Sequence, residues 1–170
     1  MSRERNLVLR AQSGDRAAFD ELLREIERPL HRFIAGIVPE HAEDVLQGVF
    51  ITIVRKIAWL NDASLFRPWA YRIASRAAFR LLKKQRGRGE EPLVETAAEN
   101  ATKVEEPDPW QRQRLLANVA RLSPASRAVV TLHYLDELPL ADVAAVLDIS
   151  LGTVKSRLAY GLAQLRKETQ

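Results

Sequence analysis

Apolar residues recur at intervals of three and four positions along most of this chain. That interval is typical of one buried face of an α-helix, whereas a strand would show strict alternation of apolar and polar positions. No segment sustains such an alternation. The chain is therefore predicted to be all-α.

Asp15 is a candidate N-cap for the first predicted helix. Pro29 is expected to kink or break that helix because proline lacks a backbone donor, and the helical pattern resumes from Leu30 to Ile37. A third helix is predicted from about residue 41 to residue 59. Its expected buried stripe comprises Leu46, Val49, Phe50, Ile53 and Ile57.

A fourth helix is predicted from about residue 67 to residue 85, after a polar loop at residues 61–64. It is expected to stop at Gly87 and Gly89, since glycine favours the end of a helix. Its apolar stripe comprises Phe66, Trp69, Ala70, Ile73, Ala77 and Leu81.

The same helix carries a second, basic stripe. Its members are Arg72, Arg76, Arg80 and Lys83. Like charges at this spacing repel one another, so the stripe favours a polyanionic partner such as nucleic acid. Trp69 and Tyr71 could offer stacking surfaces for unpaired bases, although Trp69 fits the core better because it lies on the apolar stripe.

Charge is distributed unevenly along the chain. Residues 1–88 carry 17 Lys and Arg against 10 Asp and Glu, residues 89–109 carry 1 against 7, and residues 110–170 carry 8 against 5. The middle stretch also lacks a periodic apolar face, which is typical of a flexible linker. We therefore predict two small helical domains, 1–88 and 110–170, joined by an acidic flexible linker, 89–109.

Composition narrows the class of protein. The chain has no cysteine, which excludes a disulfide framework and thiolate metal or redox sites. Its start lacks a signal-peptide pattern, and its apolar runs are far shorter than the roughly 20 residues of a membrane helix. The three histidines are scattered, and no phosphate-binding glycine loop or nucleophile motif is present. The sequence predicts a cytoplasmic protein with no membrane insertion, no cofactor, no metal and no enzymatic activity.

Residues 140–165 have the spacing of a helix-turn-helix. Ala144 is small where two helices would cross, Asp148 occupies a turn in which the left-handed conformation is common, and Val154 would pack the second helix on the first. Ser150 is a candidate N-cap of the second helix. The expected inner face of the first helix comprises Leu140, Val143 and Leu147.

The second helix of this motif is predicted to point four polar side chains outward near its N-terminal end. These are Thr153, Lys155, Ser156 and Arg157. A helix-turn-helix places that end in the major groove, where basic side chains read guanine and hydroxyl groups contact bases or phosphates. DNA is the predicted ligand, although a plain pair of packed helices would have the same apolar pattern.

Residues 122–158, LSPASRAVVTLHYLDELPLADVAAVLDISLGTVKSRL, resemble region 4 of the extracytoplasmic-function (ECF) sigma factors of the sigma-70 family. That region recognises the −35 promoter element. The resemblance implies that Lys155 and Ser156 read bases, with Thr153 and Arg157 supporting on the DNA backbone.

The chain departs from the family after Arg157, where further arginines are usual. It continues instead with Ala159, Tyr160, Gly161 and Leu162. Tyr160 stays among the expected DNA contacts, but fewer cations imply weaker anchoring to phosphates. Gly161 is expected to cost about 1 kcal/mol relative to alanine within a helix.

The chain from about Leu7 to Arg88 resembles region 2 of the same family, in the stretches GDRAAFDELL, AEDVLQGVF and FRPWAYRIASRAAFRLLKK. The second stretch resembles the segment that docks on the clamp helices of the polymerase largest subunit. This implies polymerase contacts at Asp44 and Gln47. Gly48 belongs to the same contact set, but it stands where an acidic residue is common.

The third stretch resembles the promoter-melting helix that reads the −10 element, which implies DNA contacts along the basic stripe. Arg76 departs from the asparagine that is frequent there. Residues 61–65 resemble the loop that captures a base flipped from the melted −10 strand. The loop contacts implied are Asn61, Asp62 and Ser64.

Together the resemblances imply a sigma factor whose partners are core RNA polymerase and promoter DNA, with an anti-sigma protein as a further candidate. The acidic linker would follow the polymerase interior near the path of product RNA, or act only as a solubilising tether. A polymerase-independent helix-turn-helix regulator that binds DNA as a dimer is the alternative. A pure protein-interaction module is a weaker one.

Overall fold

The computed structural model describes residues 2–87 and 118–167. Every regular element in these two ranges is helical, as the spacing of apolar residues predicts. The chain divides into two compact units, Met1–Leu82 and Lys83–Gln170. The predicted linker, 89–109, lies outside the described residues. In the part of the chain described, no helix combines the length and the apolar character needed to cross a membrane.

Four α-helices lie within residues 2–87. They are α1 (Arg3–Gln12), α2 (Arg16–Ala35), α3 (Ala42–Lys56) and α4 (Phe66–Gln85). Three short 3-10 turns connect or extend them, at Pro39–His41, Ile57–Trp59 and Ala63–Leu65. Helix α4 ends two residues before Gly87, whose φ of +80° is a conformation that favours glycine.

Helix α1 was not predicted from the sequence. Ser2 caps it by accepting a hydrogen bond from Arg5 N (3.3 Å), and Leu7 and Val8 are its buried residues. The next helix begins as predicted, because Asp15 Oδ1 accepts a hydrogen bond from Ala18 N (3.1 Å). That hydrogen bond, together with one from Arg10, lowers the pKa of Asp15.

Of the predicted kink or break at Pro29, the break does not occur, because α2 continues through this residue. An interior proline costs about 3 kcal/mol. The apolar face continues across it, however, and Ile26, Leu30, Phe33 and Ile34 are each at most 2% exposed. Burial stabilises such side chains by about 1.5–3 kcal/mol each, which exceeds the cost of the proline.

Helix α3 buries Leu46, Val49 and Ile53 as predicted, whereas Phe50 is half-buried. The buried face of α4 is rotated from the predicted stripe. It comprises Phe66, Ala70, Tyr71, Ala74, Ser75 and Ala78. Alanines line the middle of this face, and the bulkier predicted members border it as half-buried residues. The rotation places the large Tyr71 ring inside the core, which buries much apolar area.

The second described range contains three α-helices. They are α5 (Pro124–Val130), α6 (Leu140–Leu147) and α7 (Leu151–Lys167). A 3-10 turn, Val119–Arg121, precedes α5, and one π-helical turn, Thr131–Leu135, extends it. Ser123 caps α5 ahead of Pro124, as the sequence predicts.

Side chains from all three helices close the core of this unit. Val129, Leu132, Val143, Val154 and Leu158 have no exposed surface. The inner face of α6 differs from the prediction, since Val146 is buried while Leu140 and Leu147 are half-buried. The reason is that α6 ends at Leu147, immediately before the chain reverses, so this side chain lies at the rim of the core.

A guanidinium group holds the start of this unit together. Arg127 donates hydrogen bonds to the carbonyl oxygens of Val119 (3.2 Å), Ala120 and Leu122 (2.7 Å). Burial of the group lowers the pKa of Arg127. The planar donors of arginine suit several carbonyls at once, and they attach the 3-10 turn to α5.

Candidate functional sites

One outward edge of α3 carries the residues expected to contact a polymerase. Asp44, Gln47 and Gly48 are exposed, and Ile51 follows with 52% of its surface exposed. Their spacing of three and four places them on one face of the helix. We call these four residues the α3 edge.

The α3 edge is flat at its centre. A Cβ atom on Gly48 would meet nothing within 4 Å, and the Gly48 carbonyl accepts a hydrogen bond from Thr52 Oγ1 (2.9 Å). Ile51 and its neighbour Val54, which is 54% exposed, were missed by sequence reasoning. The sequence does contain a signal for their exposure, because neither residue belongs to the predicted buried stripe of α3. A flat, partly apolar strip is suited to packing against another protein.

The predicted polar loop contains a 3-10 turn at Ala63–Leu65. Asp62 Oδ1 accepts hydrogen bonds from Ser64 Oγ (2.6 Å) and Ser64 N (2.9 Å), and these bonds lower the pKa of Asp62. The Asp62 carboxylate therefore organises the turn. Ser64 and Leu65 in the turn are exposed, and so is Asn61 just before it.

The basic stripe of α4 is exposed at every position. Arg72, Arg76, Arg80 and Lys83 all lie on the surface, away from the buried face that contains Tyr71. Helix α4 has no acidic residue between Phe66 and Gln85. Within this helix, therefore, no carboxylate balances the positive charge of the stripe.

Tyr71 does not lie where a base could stack on it, so that part of the expectation is wrong. It has no exposed surface, and its ring packs edge-on against Phe33, with ring centroids 5.4 Å apart. Trp69 is half-buried beside Phe66, at a centroid distance of 6.1 Å. Trp59, just before the loop, is 74% exposed. From the sequence, Trp59 was predicted only as the end of a helix and not as an exposed aromatic residue.

The helix-turn-helix has the geometry that its spacing predicts. Asp148 is left-handed, with φ 58° and ψ 44°, and Ile149 N donates to the Ala144 carbonyl (3.1 Å). Ser150 Oγ accepts a hydrogen bond from Thr153 N (3.1 Å) and so caps α7. Val154 is fully buried between the two helices of the motif.

The predicted DNA-facing residues lie in the first half of α7. Lys155 is exposed, whereas Thr153, Ser156 and Arg157 are half-buried. Thr153 Oγ1 lies 2.8 Å from Ser150 Oγ, and Ser156 Oγ donates to the Thr153 carbonyl (3.1 Å). These hydroxyl groups are therefore held in place by local hydrogen bonds, and Lys155 projects beside them.

Tyr160 and Gly161, which follow these residues in α7, differ sharply in exposure. Tyr160 is 47% exposed, and its hydroxyl oxygen accepts a hydrogen bond from Gln164 Nε2 (2.6 Å). Gly161 is buried where α7 crosses α5. A Cβ atom there would lie 3.3 Å from Val130 Cγ2 and 3.4 Å from Leu122 Cδ1. Glycine at position 161 therefore permits close helix packing, a role that the sequence did not indicate.

The three histidines are dispersed. His31 Nε2 lies 3.1 Å from a carboxylate oxygen of Glu43, His41 precedes α3, and His133 Nδ1 lies 2.9 Å from the Leu138 carbonyl. Within residues 2–87 and 118–167, no three His, Cys, Asp or Glu residues form a group that could hold a metal ion.

Comparison with known families matches both halves of the chain. Residues 18–88 match the model for Sigma-70 region 2, and residues 119–167 match the model for Sigma-70, region 4. The first matched range contains the α3 edge, the loop and the basic stripe. The second contains the helix-turn-helix.

Curated relatives align over nearly the whole chain. The ECF RNA polymerase sigma factor SigM of Mycobacterium tuberculosis strain H37Rv is 31% identical over 159 residues, which cover 91% of this chain and 79% of SigM. The ECF RNA polymerase sigma-E factor of Escherichia coli K12 is 30% identical over 165 residues, which cover 89% of this chain and 86% of that protein.

Two solved structures have a similar fold. CnrH, solved in complex with the cytosolic domain of CnrY, has a TM-score of 0.67 and 21% identity, covering 98% of this chain and 96% of CnrH. The sigma factor RpoE of Bartonella quintana, solved with the anti-sigma factor NepR, has a TM-score of 0.62 and 22% identity, covering 89% of this chain and 98% of RpoE.

Proposed function

Because this chain belongs to the extracytoplasmic-function sigma factors of the sigma-70 family, we infer that it directs core RNA polymerase to specific promoters and assists their opening. The observation that carries this conclusion is the presence of regions 2 and 4 in one chain and in the order of the family. The polymerase-independent regulator considered from the sequence would leave region 2 without a role. No step of the proposed role requires catalysis by this chain.

We propose that the α3 edge binds the clamp helices of the polymerase largest subunit. Asp44 and Gln47 would supply polar contacts, and Ile51 would add exposed apolar surface. Gly48 would let the partner approach the α3 backbone closely, because it has no side chain and a Cβ atom there would meet no neighbouring group within 4 Å. Such an approach would partly offset the loss of the acidic side chain that is common there.

The −10 element would be engaged by the loop and by α4. In this proposal Asn61, Asp62 and Ser64 form the pocket rim for a flipped base, since the Asp62–Ser64 hydrogen bonds preorganise the turn. The basic stripe would neutralise phosphates of the opened strand. The stacking surface for an unpaired base would be Trp59, which is 74% exposed, rather than the buried Tyr71.

The −35 element would be read by the first half of α7. Lys155 and Ser156 are proposed to contact base edges in the major groove, while Thr153, Arg157 and Tyr160 contact the DNA backbone. The cap at Ser150 supports this arrangement, since it fixes Thr153 at the helix start. The Tyr160 hydroxyl can still donate its hydrogen to a phosphate oxygen, because Gln164 approaches it as a donor.

The remaining assignments follow from this role. We propose domains at 1–88 and 110–170 with the acidic linker 89–109 between them, which the ranges of the two family models support. The factor would act in the cytoplasm, where bacterial polymerase and DNA meet. An anti-sigma protein stays a candidate partner, as the structure of the Bartonella relative was solved with one.

The function can be tested by gel filtration with purified bacterial core RNA polymerase. We expect stoichiometric co-elution of the wild-type chain and weaker co-elution of Asp44→Ala/Gln47→Ala. The matched control is Asp20→Ala/Glu27→Ala, which removes two exposed polar side chains from α2. If folded wild type does not bind polymerase at micromolar concentration, the proposal is wrong. If both double variants lose co-elution equally, the α3 edge is not the polymerase-binding surface.

A further inference from the structure

Helix α1 reaches the loop that precedes α4 through one side chain. Gln12 Nε2 donates hydrogen bonds to the carbonyl oxygens of Ile57 and Leu60, both at 2.8 Å, across 45 and 48 residues of chain. The first carbonyl belongs to the residue that begins the Ile57–Trp59 turn, and the second belongs to the residue that follows the turn.

The two bonds use the donors of the Gln12 amide fully. An amide nitrogen carries two hydrogens, and each is directed at one carbonyl. The Ile57 carbonyl also accepts a hydrogen bond from Leu60 N (3.1 Å), so the amide adds to the backbone hydrogen bond that closes this turn. Gln12 is half-buried, which limits competition from water.

The far end of the loop is attached to the same helix. Glu4 Oε2 accepts a hydrogen bond from Arg67 Nε (3.0 Å), in the first turn of α4, and both side chains are half-buried. Helix α1 therefore holds residue 60 on one side of the loop and residue 67 on the other. Within the loop at residues 61–65 only Ala63 is buried, while Asn61, Asp62, Ser64 and Leu65 are exposed.

We propose that Gln12 is a positioning residue for promoter opening: its amide fixes the loop at residues 61–65 in the conformation that receives the flipped base, without contacting DNA itself. This inference rests on the proposed function of the loop. A preformed pocket lowers the cost of holding an extruded base, whereas a loop that must order first adds that cost to each opening event.

The test compares promoter opening on duplex DNA with transcription from a template whose −10 region is already unpaired. Gln12→Met keeps the length of the side chain and removes both donors, and Gln12→Asn is a milder change that is too short to reach both carbonyls. With each hydrogen bond worth a factor of about five, we expect opening of duplex DNA to fall about 10- to 30-fold for Gln12→Met. Transcription from the unpaired template and co-elution with polymerase should stay unchanged.

The matched control is Arg3→Ala, on the same helix. Arg3 pairs with Glu21 and Glu25 on α2 and does not contact the loop. It should leave both templates unaffected. The proposal would be overturned if Gln12→Met lost equal activity on the duplex and unpaired templates. It would also be overturned if neither Gln12 variant lost any promoter opening on duplex DNA.

Hydrogen exchange of the free protein gives a reading that does not depend on polymerase. We expect amide exchange over residues 57–65 to rise about fivefold or more in Gln12→Met and to stay at the wild-type level in Arg3→Ala. Unchanged exchange in Gln12→Met would overturn the positioning role. If exchange is faster in Gln12→Met but wild type does not bind polymerase, Gln12 does position the loop and it is the proposed function that is wrong.

Discussion

Replacing glycine by alanine at two positions tests how closely the helices pack. Gly48 lies on an exposed face of α3, where a new Cβ would meet nothing within 4 Å. Gly161 is buried where α7 crosses α5. The chemical change is the same at both positions, so any difference in its effect reports on the surroundings.

The expected magnitudes follow from two opposing contributions. Alanine is favoured over glycine by about 0.8–1.0 kcal/mol within a helix, so Gly48→Ala should raise the free energy of unfolding by about 1 kcal/mol. At position 161 the Cβ would lie 3.3 Å from Val130 Cγ2 and 3.4 Å from Leu122 Cδ1. Both side chains are at most 2% exposed, and valine has little rotamer freedom.

Overpacking a tight core costs about 1–3 kcal/mol. After subtraction of the gain in helix propensity, Gly161→Ala should lower the free energy of unfolding by about 1 kcal/mol. Hydrogen exchange of the slowest amides measures this free energy separately for each unit. An increase of about 1 kcal/mol in Gly161→Ala would refute the reasoning, because it would mean that α5 and α7 yield to the methyl group without cost.

Three further predictions concern single side chains. The pKa of Asp15 is lowered in the folded state, so its ionised form stabilises the protein at pH values above the ordinary carboxyl pKa. In urea unfolding near pH 7, wild type should therefore have a higher free energy of unfolding than Asp15→Asn. This difference should disappear as the pH falls through the lowered pKa. Asp148→Ala should lower the free energy of unfolding by about 1 kcal/mol, measured by hydrogen exchange in the second unit, because alanine disfavours the left-handed conformation; Asp148→Gly should avoid this conformational penalty. Lys155→Met should relax specificity at one −35 position by about 1–3 kcal/mol in transcription from a promoter library, whereas a change only in salt dependence would assign Lys155 to a phosphate.

The helix-turn-helix could be predicted closely because its signals are local. A left-handed turn at Asp148 and a cap at Ser150 depend on residues within a few positions of each other. The exposure of the basic stripe was predicted for a similar reason. Four cations without an acidic neighbour on α4 do not fit a core.

The missed features depend on contacts distant in sequence. Helix α1 has only ten residues and two buried side chains, so its own pattern is weak, and Gln12 stabilises it through carbonyls 45 and 48 residues away. The burial of Tyr71 depends on Phe33 in another helix. Pro29 alone favours a break, and only the packed face around it explains why α2 continues.

The hydrogen bonds of Gln12 also have a consequence for the order in which the chain folds during synthesis. Leu60 follows Gln12 by 48 residues, and ribosomes add about 5–20 residues per second. The first helix is therefore synthesised roughly 2–10 s before its carbonyl partners. During that interval Leu7 and Val8 have no complete core to enter, so a nascent chain paused before residue 60 should be cleaved by protease near its N-terminus.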